Sequence, residues 1–213
     1  MISKNPYNRN YFNWQKPIGE FGGWANLDKF KDYLDENYKV VDFGCGGGNL
    51  LKNIKCKDKI GVEINREARK FATKIGVKTV DETSKIKNLW ADLIISNNAL
   101  EHTKNPLREL KMLYKKLKKG GTAVFIVPCE SISYNYEKND INHHLYSWSP
   151  MCIGNLFTEA GFTLISSRPY RHKWPPFYQT IAKICGRTLF NIICRINGLL
   201  SRDWHQVRVI AQK

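Results

Sequence analysis

The sequence predicts an α/β fold, a doubly wound parallel sheet with helices packed on both faces. From residue 39 onward, short runs of β-branched and other apolar residues alternate with amphipathic stretches. Parallel strands need a crossover connection, usually a helix, so this alternation is typical of a sheet buried on both faces. The chain has 213 residues, 42% apolar and 25% charged. This composition fits one globular domain and excludes a disordered chain.

The N-terminal segment, residues 1–37, is predicted to form a helical cap. It is rich in aromatic residues and glycine, and the spacing of Leu27, Phe30, Tyr33 and Leu34 predicts a helix. The core is expected over residues 38–168. Its predicted strands are Lys39–Phe43, Lys59–Ile64, Val77–Val80, Ala91–Ser96, Thr122–Pro128 and Phe162–Ser167, with helices at 66–75, 106–117 and 149–160.

A basic insertion, residues 169–203, is expected before the last strand at 204–213. Within it, residues 177–200 read as a helix on which Lys183, Arg187, Asn191 and Arg195 share one side. Apolar residues share the other side, with Phe190 as the exception: Ile181, Ile184, Leu189, Ile192, Ile193, Ile196, Leu199 and Leu200. Such a helix fits either an interface with an anionic membrane or ordinary packing against the domain.

The overall charge predicts an anionic partner. There are 34 basic and 19 acidic residues, a net charge of +15, which leaves nucleic acid, a phosphorylated substrate and an anionic membrane open. The start of the chain lacks the apolar region of a signal peptide, and no apolar run is long enough to span a bilayer. We therefore expect a cytoplasmic protein.

A glycine-rich turn follows the first predicted strand, in the segment VVDFGCGGGNLL (40–51). Glycines there allow left-handed backbone and let a ligand lie against the main chain at the start of a helix. Asn49 stands where a dinucleotide-binding loop has its third glycine, and Asp42 disfavours a pyrophosphate. An NAD-dependent oxidoreductase is therefore disfavoured. Glu63, at the end of the second strand, can accept both ribose hydroxyls of a nucleoside.

Five segments together resemble the class I S-adenosylmethionine-dependent methyltransferases. In the family's order they are VVDFGCGGG (40–48), GVEIN (61–65), ADLIISNNALEH (91–102), KKLKKGGTAVFIVP (115–128) and HHLYSW (143–148). The resemblance implies a Rossmann-like sheet of seven strands with an antiparallel last strand, and S-adenosylmethionine as the cofactor. It covers residues 39–161.

The resemblance also assigns cofactor-binding positions. The methionine part is expected at Asp42, Gly44, Cys45 and Gly46, the ribose at Glu63 and Ile64, and the adenine near Asp81. Asn97 and Asn98 are expected to bind the amino-acid end of the cofactor or the substrate.

Candidate catalytic residues are histidines in loops after the strands. Methyl transfer is an in-line displacement that needs no covalent residue, but an alcohol nucleophile must lose a proton. His102 follows the fourth strand, and His143 and His144 follow Asp140 in the loop before the helix at 149–160. Because ligands of α/β sheets bind at the carboxyl ends of the strands, these three are the expected general-base candidates. His102 could instead shape the cofactor pocket.

Substrate contacts are expected from aromatic residues of the cap and the crevice loop. The predicted substrate-binding residues are Trp14, Asn98, Tyr146 and Trp148. The three aromatic residues are included because flat rings can stack on the faces of sugars. Glu101, Glu130 and Asp140 lie in this region, but their spacing does not predict a metal site, and none is expected. The segment YFNWQKPIGEFGGWAN (11–26) and the late insertion resemble methyltransferases of bacterial surface-polysaccharide biosynthesis.

The sequence thus predicts a methyltransferase that acts on a sugar hydroxyl in capsule or lipopolysaccharide assembly. The sugar would be carried by a nucleotide, a lipid or a polymer. Alternatives are a methyltransferase of another small molecule or lipid-linked intermediate, and a catalytically silent cofactor-binding module. The amphipathic insertion predicts peripheral contact with the inner face of an anionic membrane. Nucleic acid is the less favoured partner, because the apolar side of the insertion is too continuous.

Overall fold

A computed structural model describes residues 8–202 and 204–213. Its helices are α1 (Arg9–Ala25), α2 (Asn49–Asn53), α3 (Arg66–Lys74), α4 (Pro106–Lys116), α5 (Pro150–Glu159) and α6 (Tyr178–Leu200). Its strands are β1 (Lys39–Phe43), β2 (Asp58–Val62), β3 (Thr79–Val80), β4 (Ala91–Asn97), β5 (Leu117–Glu130), β6 (Thr163–Tyr170) and β7 (Trp204–Gln212).

The seven strands form one sheet in the order β3-β2-β1-β4-β5-β7-β6. Neighbours from β3 to β5 are parallel, and β7 runs antiparallel to both β5 and β6. The predicted Rossmann-like α/β sheet with an antiparallel last strand is confirmed. The chain order reverses between β1 and β4, and in open α/β sheets a ligand crevice forms at the carboxyl ends of the strands beside such a reversal.

The core lies on both faces of the sheet because successive side chains of a strand point to opposite sides. On one face, Ile94 and Phe125 pack with buried residues of α4 and α5. On the other face, Leu93 and Ile95 pack with Leu51 of α2 and with the segment after α1. Burial on both faces explains why these strands are nearly continuous apolar runs.

The cap differs from its prediction. The helix predicted from Leu27 to Leu34 is wrong: that segment forms two short 3-10 turns, Asn26–Lys29 and Lys31–Tyr33. The α-helix of the cap lies earlier, at Arg9–Ala25, and contains Pro17 and three glycines. Residues 1–7 of the predicted cap and residue 203 of the predicted insertion lie outside the described residues.

The insertion forms the predicted helix, α6, but with a kink. Gly186 has the non-helical dihedrals φ 67° and ψ 179° and divides α6 into two segments. Strand β6 continues to Tyr170 and so includes the first two residues of the predicted insertion. Among the described residues, no helix combines the length and the apolar content that crossing a membrane requires.

Candidate active site

A cavity of about 230 Å³ opens at the carboxyl ends of β1 and β4, where the chain order of the sheet reverses. The glycine turn after β1 forms its floor and one face of α1 its roof. The remaining walls come from the segments after β4, the loop before α5 and the start of the insertion. Six of its lining residues carry side-chain amides: Gln15, Asn26, Asn49, Asn97, Asn98 and Asn142.

The glycine turn has the left-handed backbone that its sequence predicts. Gly44, Gly46 and Gly48 have φ values of 76°, 53° and 78°, a region that side chains with a Cβ rarely adopt. At Gly44 a Cβ would lie 2.1 Å from the Cβ of Ala99. The turn can therefore approach the segment after β4 only because it has no side chain at this point.

Two carboxylates flank the turn. Asp42, at the end of β1, is 3% exposed, and burial, with a smaller contribution from the nearby Glu63, raises its pKa to about 7. Glu63 accepts hydrogen bonds from the amides of Gly46 (2.9 Å) and Asn65 (2.7 Å), although burial raises its pKa. Burial also raises the pKa of the Cys45 thiol. A cationic ligand would stabilise the charged form of both carboxylates.

Helix α1 covers the cavity. The sequence predicted a helical cap but placed its helix at Leu27–Leu34 rather than at Arg9–Ala25. Seven residues of α1 line the cavity: Tyr11, Trp14, Gln15, Ile18, Gly19, Gly22 and Gly23. Positions spaced by three or four residues share one face of a helix, so this spacing was the available signal, but Pro17 and the glycines argued against a helix. A Cβ on Gly23 would lie 2.6 Å from the backbone of Asn49. The glycines therefore let α1 pack directly on the glycine turn.

A buried lysine supports the two asparagines after β4. Lys29 is 4% exposed and donates hydrogen bonds to Asn97 Oδ1 (2.9 Å) and Gln206 Oε1 (3.4 Å). Gln206 in turn donates to Asn98 Oδ1 (3.1 Å). Asn98 has a φ of 52°, a conformation that asparagine tolerates better than most residues. Lys29 and Gln206 could not be predicted as site residues, because nothing in their local sequence distinguishes them from surface residues.

Two histidines line the cavity next to two glutamates. His102 and His144 belong to the wall, and their ring centroids lie 4.9 Å apart. The Nδ1 of His144 lies 2.6 Å from Glu130 Oε1, and Glu101 Oε1 lies 4.0 Å from His102 Nε2. Burial lowers the pKa of His102 to about 4, so its ring is neutral at pH 7. Burial raises the pKa of Glu101 to about 8.

A family comparison agrees with this geometry. Residues 18–167 match the model of a family described as "Methyltransferase domain". The match covers more than half of the chain and contains the glycine turn, Asp42, Glu63 and both cavity histidines. The chain belongs to this methyltransferase family. Its cofactor is S-adenosylmethionine.

Curated relatives match part of this methyltransferase. A ubiquinone biosynthesis O-methyltransferase of Aliivibrio fischeri is 30% identical over 131 residues, which cover 53% of this chain and 56% of the relative. An uncharacterised protein of Methanocaldococcus jannaschii is 31% identical over 103 residues, 47% of this chain and 49% of the relative. The chain thus spans about half the length of the curated relatives it matches.

Solved structures share the fold along most of the chain. A SAM-dependent methyltransferase from Archaeoglobus fulgidus superposes with a TM-score of 0.65 and 19% identity, covering 95% of this chain and 99% of that one. Geranyl diphosphate C-methyltransferase from Streptomyces coelicolor has a TM-score of 0.62 and 15% identity, covering 88% and 76%. That structure was determined with Mg²⁺, geranyl diphosphate and S-adenosylhomocysteine. At such low identity these likenesses show the fold.

The residues present fit S-adenosylmethionine. The open glycine turn leaves backbone exposed to a ligand, and the buried carboxyl of Asp42 suits a cationic one. Six of the residues predicted to bind the cofactor or the substrate line the cavity: Asp42, Gly44, Cys45, Gly46, Asn97 and Asn98. Glu63 accepts a hydrogen bond from the amide of Gly46. These residues would hold the cofactor, which supplies an activated methyl group on a sulfonium.

Other predicted residues of this methyltransferase lie outside the cavity lining. Ile64 is exposed, and Asp81 pairs with Lys85 at 2.6 Å. His143 is exposed, and its amide donates to Asp140 Oδ2 at 3.0 Å. The predicted adenine contact of Asp81 and the predicted catalytic role of His143 therefore gain no support from the geometry.

Of the predicted substrate-binding aromatic residues, Trp14 lines the cavity and the other two do not. Trp148 is 3% exposed and packs in the main core, so its prediction as a substrate contact is corrected to a packing role. Tyr146 stacks on Trp148 with ring centroids 5.2 Å apart. Trp174, from the insertion, lines the cavity instead.

Proposed function

We propose that this methyltransferase transfers the methyl group of S-adenosylmethionine to a hydroxyl of a sugar in bacterial surface-glycan assembly. The observation that carries an oxygen-directed reaction is the pairing of His144 with Glu130 beside the cofactor cavity. An imidazole whose Nδ1–H is held by a carboxylate keeps a lone pair on Nε2, and the carboxylate stabilises the imidazolium that forms when Nε2 takes a proton. A hydroxyl nucleophile needs such an acceptor.

S-adenosylmethionine, when bound, would supply the activated methyl group, and the thioether left behind would be neutral. Nε2 of His144 would take up the proton that the substrate hydroxyl loses. The remaining contribution of the protein is alignment of the reacting atoms and exclusion of water by α1 and the loop before α5.

The lining of the cavity supports a hydroxyl-rich acceptor. Side-chain amides both donate and accept hydrogen bonds, as sugar hydroxyls require, and Trp14 and Trp174 offer flat apolar faces. The likeness of residues 11–26 to surface-polysaccharide methyltransferases points the same way. A curated relative that carries the name O-methyltransferase favours oxygen over nitrogen as the acceptor.

The test is methyl transfer from labelled S-adenosylmethionine to a panel of nucleotide sugars, lipid-linked glycans, phenols and amines. Transfer to a sugar hydroxyl is expected, with turnover about 10²-fold lower in His144→Ala and unchanged in His205→Ala, a histidine on β7. Transfer only to amines or phenols would overturn the sugar proposal. A different result would favour a catalytically silent module. The protein would then bind S-adenosylhomocysteine, methylate no acceptor, and keep its function in cells after Glu63→Ala.

We further propose that α6 places this enzyme on an anionic membrane. Beyond the kink, one side of α6 is buried against the domain through Phe190, Asn191, Cys194 and Gly198. The Cζ atom of Arg187 lies 5.2 Å from the ring centroid of Trp24. The apolar side predicted from the sequence therefore points outward. Its exposed residues are Ile184, Leu189, Ile192, Ile196, Leu199 and Leu200, of which Ile184 is 80% and Leu200 76% exposed.

Charge favours an anionic bilayer as the occupant of this apolar side. Four basic residues of the insertion are exposed: Arg171, Lys183, Arg195 and Arg202. Residues 161–202 contain no acid. Two copies meeting through this side would bring like charges together, whereas anionic lipid headgroups would neutralise them. A lipid-linked acceptor would then be presented to the enzyme at the membrane surface.

Sedimentation with vesicles tests this second proposal. We expect binding to vesicles containing phosphatidylglycerol, weaker binding to pure phosphatidylcholine, and loss of binding in Ile196→Glu/Leu199→Glu. Leu89→Ser, at an exposed leucine before β4, is the control that should bind normally. The membrane proposal would be overturned if the double variant bound these vesicles as well as the unaltered chain. It would also be overturned if the same substitutions disrupted a dimer, or if the protein bound RNA in a salt-sensitive manner but did not bind vesicles.

A further inference from the structure

We infer that Glu101, His102 and His144 form a binding site for a divalent transition-metal ion at the wall of the cofactor cavity. One ligand atom from each residue lies within 4.8 Å of the others. Glu101 and His102 come from the 3-10 turn after β4, and His144 comes from the loop before α5. The backbone ties the two segments together, since the amide of Leu145 donates to the carbonyl of Glu101 at 2.9 Å.

The strongest indication is the side chain of Glu101. It is fully buried, and neither carboxylate oxygen has a hydrogen-bond partner among the described residues. A buried carboxylate without hydrogen bonds is costly, so the group takes up a proton unless a cation compensates its charge. Its closest basic neighbour is His102 Nε2, 4.0 Å away, which is beyond hydrogen-bond distance. A metal ion between the carboxylate and the imidazoles would supply the missing partner.

Glu130 adds the arrangement typical of metal-binding histidines. Its Oε1 lies 2.6 Å from Nδ1 of His144, and the amide of Glu130 in turn donates to Ser147 Oγ at 2.7 Å. Histidines that bind metals usually donate their other ring N–H to a carboxylate or carbonyl, which fixes the ring and leaves the second nitrogen for the ion. Glu130 is thus a positioning residue for His144.

Ligand type indicates the class of ion. Two imidazoles and one carboxylate suit Zn²⁺ and neighbouring first-row divalent ions, and three protein ligands leave open positions. Tetrahedral bonds of about 2.1 Å place ligand atoms about 3.4 Å apart, so side-chain rotations that bring these atoms roughly 1.4 Å closer together complete the site. No metal was expected from the sequence, since the spacing of Glu101, Glu130 and Asp140 does not predict a metal site. Glu101 and His144 are far apart in the chain, and only the fold brings them together.

The consequence for catalysis rests on the proposed function. In the metal-bound protein, the Nε2 lone pair of His144 would bind the ion. It would then no longer be available to accept the hydroxyl proton. A substrate hydroxyl at an open position of the ion would then ionise near neutral pH. Metal binding itself does not depend on this consequence, and it can be measured without any methyl acceptor.

The test is titration of the chelator-treated full chain with Zn²⁺ against a chromophoric competitor, and with Co²⁺ by visible absorption. We expect one ion per chain and cobalt bands typical of nitrogen and oxygen ligation. Affinity should fall at least 100-fold in Glu101→Gln and His144→Ala, and about tenfold in Glu130→Gln. His205→Ala should bind normally, and circular dichroism checks that each variant is folded.

Two results would overturn the inference: no stoichiometric binding by the unaltered chain, or equal binding by folded Glu101→Gln and His144→Ala. Failure of the proposed function would look different. The chain would then bind the ion as expected while methylating no sugar hydroxyl.

Discussion

Lys29 Nζ donates a hydrogen bond to Asn97 Oδ1 at 2.9 Å from a position that is almost fully buried. Burial lowers the pKa of this lysine to about 7, so the fold bears a desolvation cost to keep an ammonium there. The network continues through Gln206 to Asn98. Two adjacent cavity asparagines are therefore oriented by residues from the cap and the last strand.

We expect Lys29→Met to weaken binding of S-adenosylhomocysteine about tenfold. A hydrogen bond to a charged group contributes about 1.5–3 kcal/mol, and without it Asn97 can rotate away from the cavity. Calorimetric titration measures the affinity. Lys52→Met, at an exposed lysine of α2, should bind normally. A Lys29→Met protein with unchanged affinity and only a lower melting temperature would show that the lysine is purely structural.

The affinity for S-adenosylmethionine should depend on the protonation of Asp42. Burial, with a smaller contribution from Glu63, raises its pKa to about 7. A cationic ligand binds the ionised carboxylate better, so affinity should rise about tenfold between pH 6 and pH 8, with a proton released on binding. Glu63 and Cys45 are the other titratable groups that interact with it, and His102 stays neutral in this range.

Calorimetry in buffers of different ionisation enthalpy measures that proton release. Asp42→Asn should bind more weakly and lose most of the pH dependence between pH 6 and pH 8. Any remainder comes from Lys29 and Glu101, whose pKa values of about 7 and about 8 also lie in this range. If the variant keeps the full pH dependence, the titrating group is another residue, and the assignment of Asp42 to the cationic end of the cofactor is wrong.

Gly44→Ala should abolish cofactor binding. Its Cβ would lie 2.1 Å from Ala99 Cβ, so either the turn or the segment after β4 must move, and both line the cavity. Gly120→Ala is the matched control, because Gly120 has a similar φ of 74° but nothing within 4 Å of the added Cβ. Both variants should lose about 1 kcal/mol of stability from backbone strain. Only Gly44→Ala should lose affinity for S-adenosylhomocysteine. If both variants bound it equally well, the close contact of Gly44 with Ala99 would not be needed for cofactor binding.

The sequence predicts the sheet well because parallel strands buried on both faces must be apolar along their length. The first strand, Lys39–Phe43, has the same bounds in the structure, and Ser149 caps α5 where its start was predicted. Local sequence could not predict α1, since its glycines are unfavourable in an isolated helix and are tolerated here because they allow close packing on Asn49. Nor could it predict the cluster of Glu101 with His144, which depends on long-range contacts.

The packing of α6 on the domain should weaken in mild acid. His172 Nε2 lies 3.0 Å from Asn191 Oδ1 of α6, and burial, reinforced by the nearby Lys29, lowers the pKa of His172 to about 4. Asp28 and Arg195 are the other charged groups that act on it. An unfolded histidine has a pKa near 6.5, so below that pH the unfolded chain takes up the proton first.

The contribution of His172 to the free energy of unfolding should therefore be fully present above pH 6.5 and be lost as the pH falls toward 4. A loss on the order of 2 kcal/mol is expected by pH 4.5. Other groups titrate in the same range, so urea unfolding should be compared between the unaltered chain and His172→Gln at each pH. The difference between the two curves isolates the histidine: it should shrink as the pH falls. A difference that stays constant from pH 7.5 to pH 4.5 would mean that His172 is protonated equally in both states, and that burial does not hold the ring neutral.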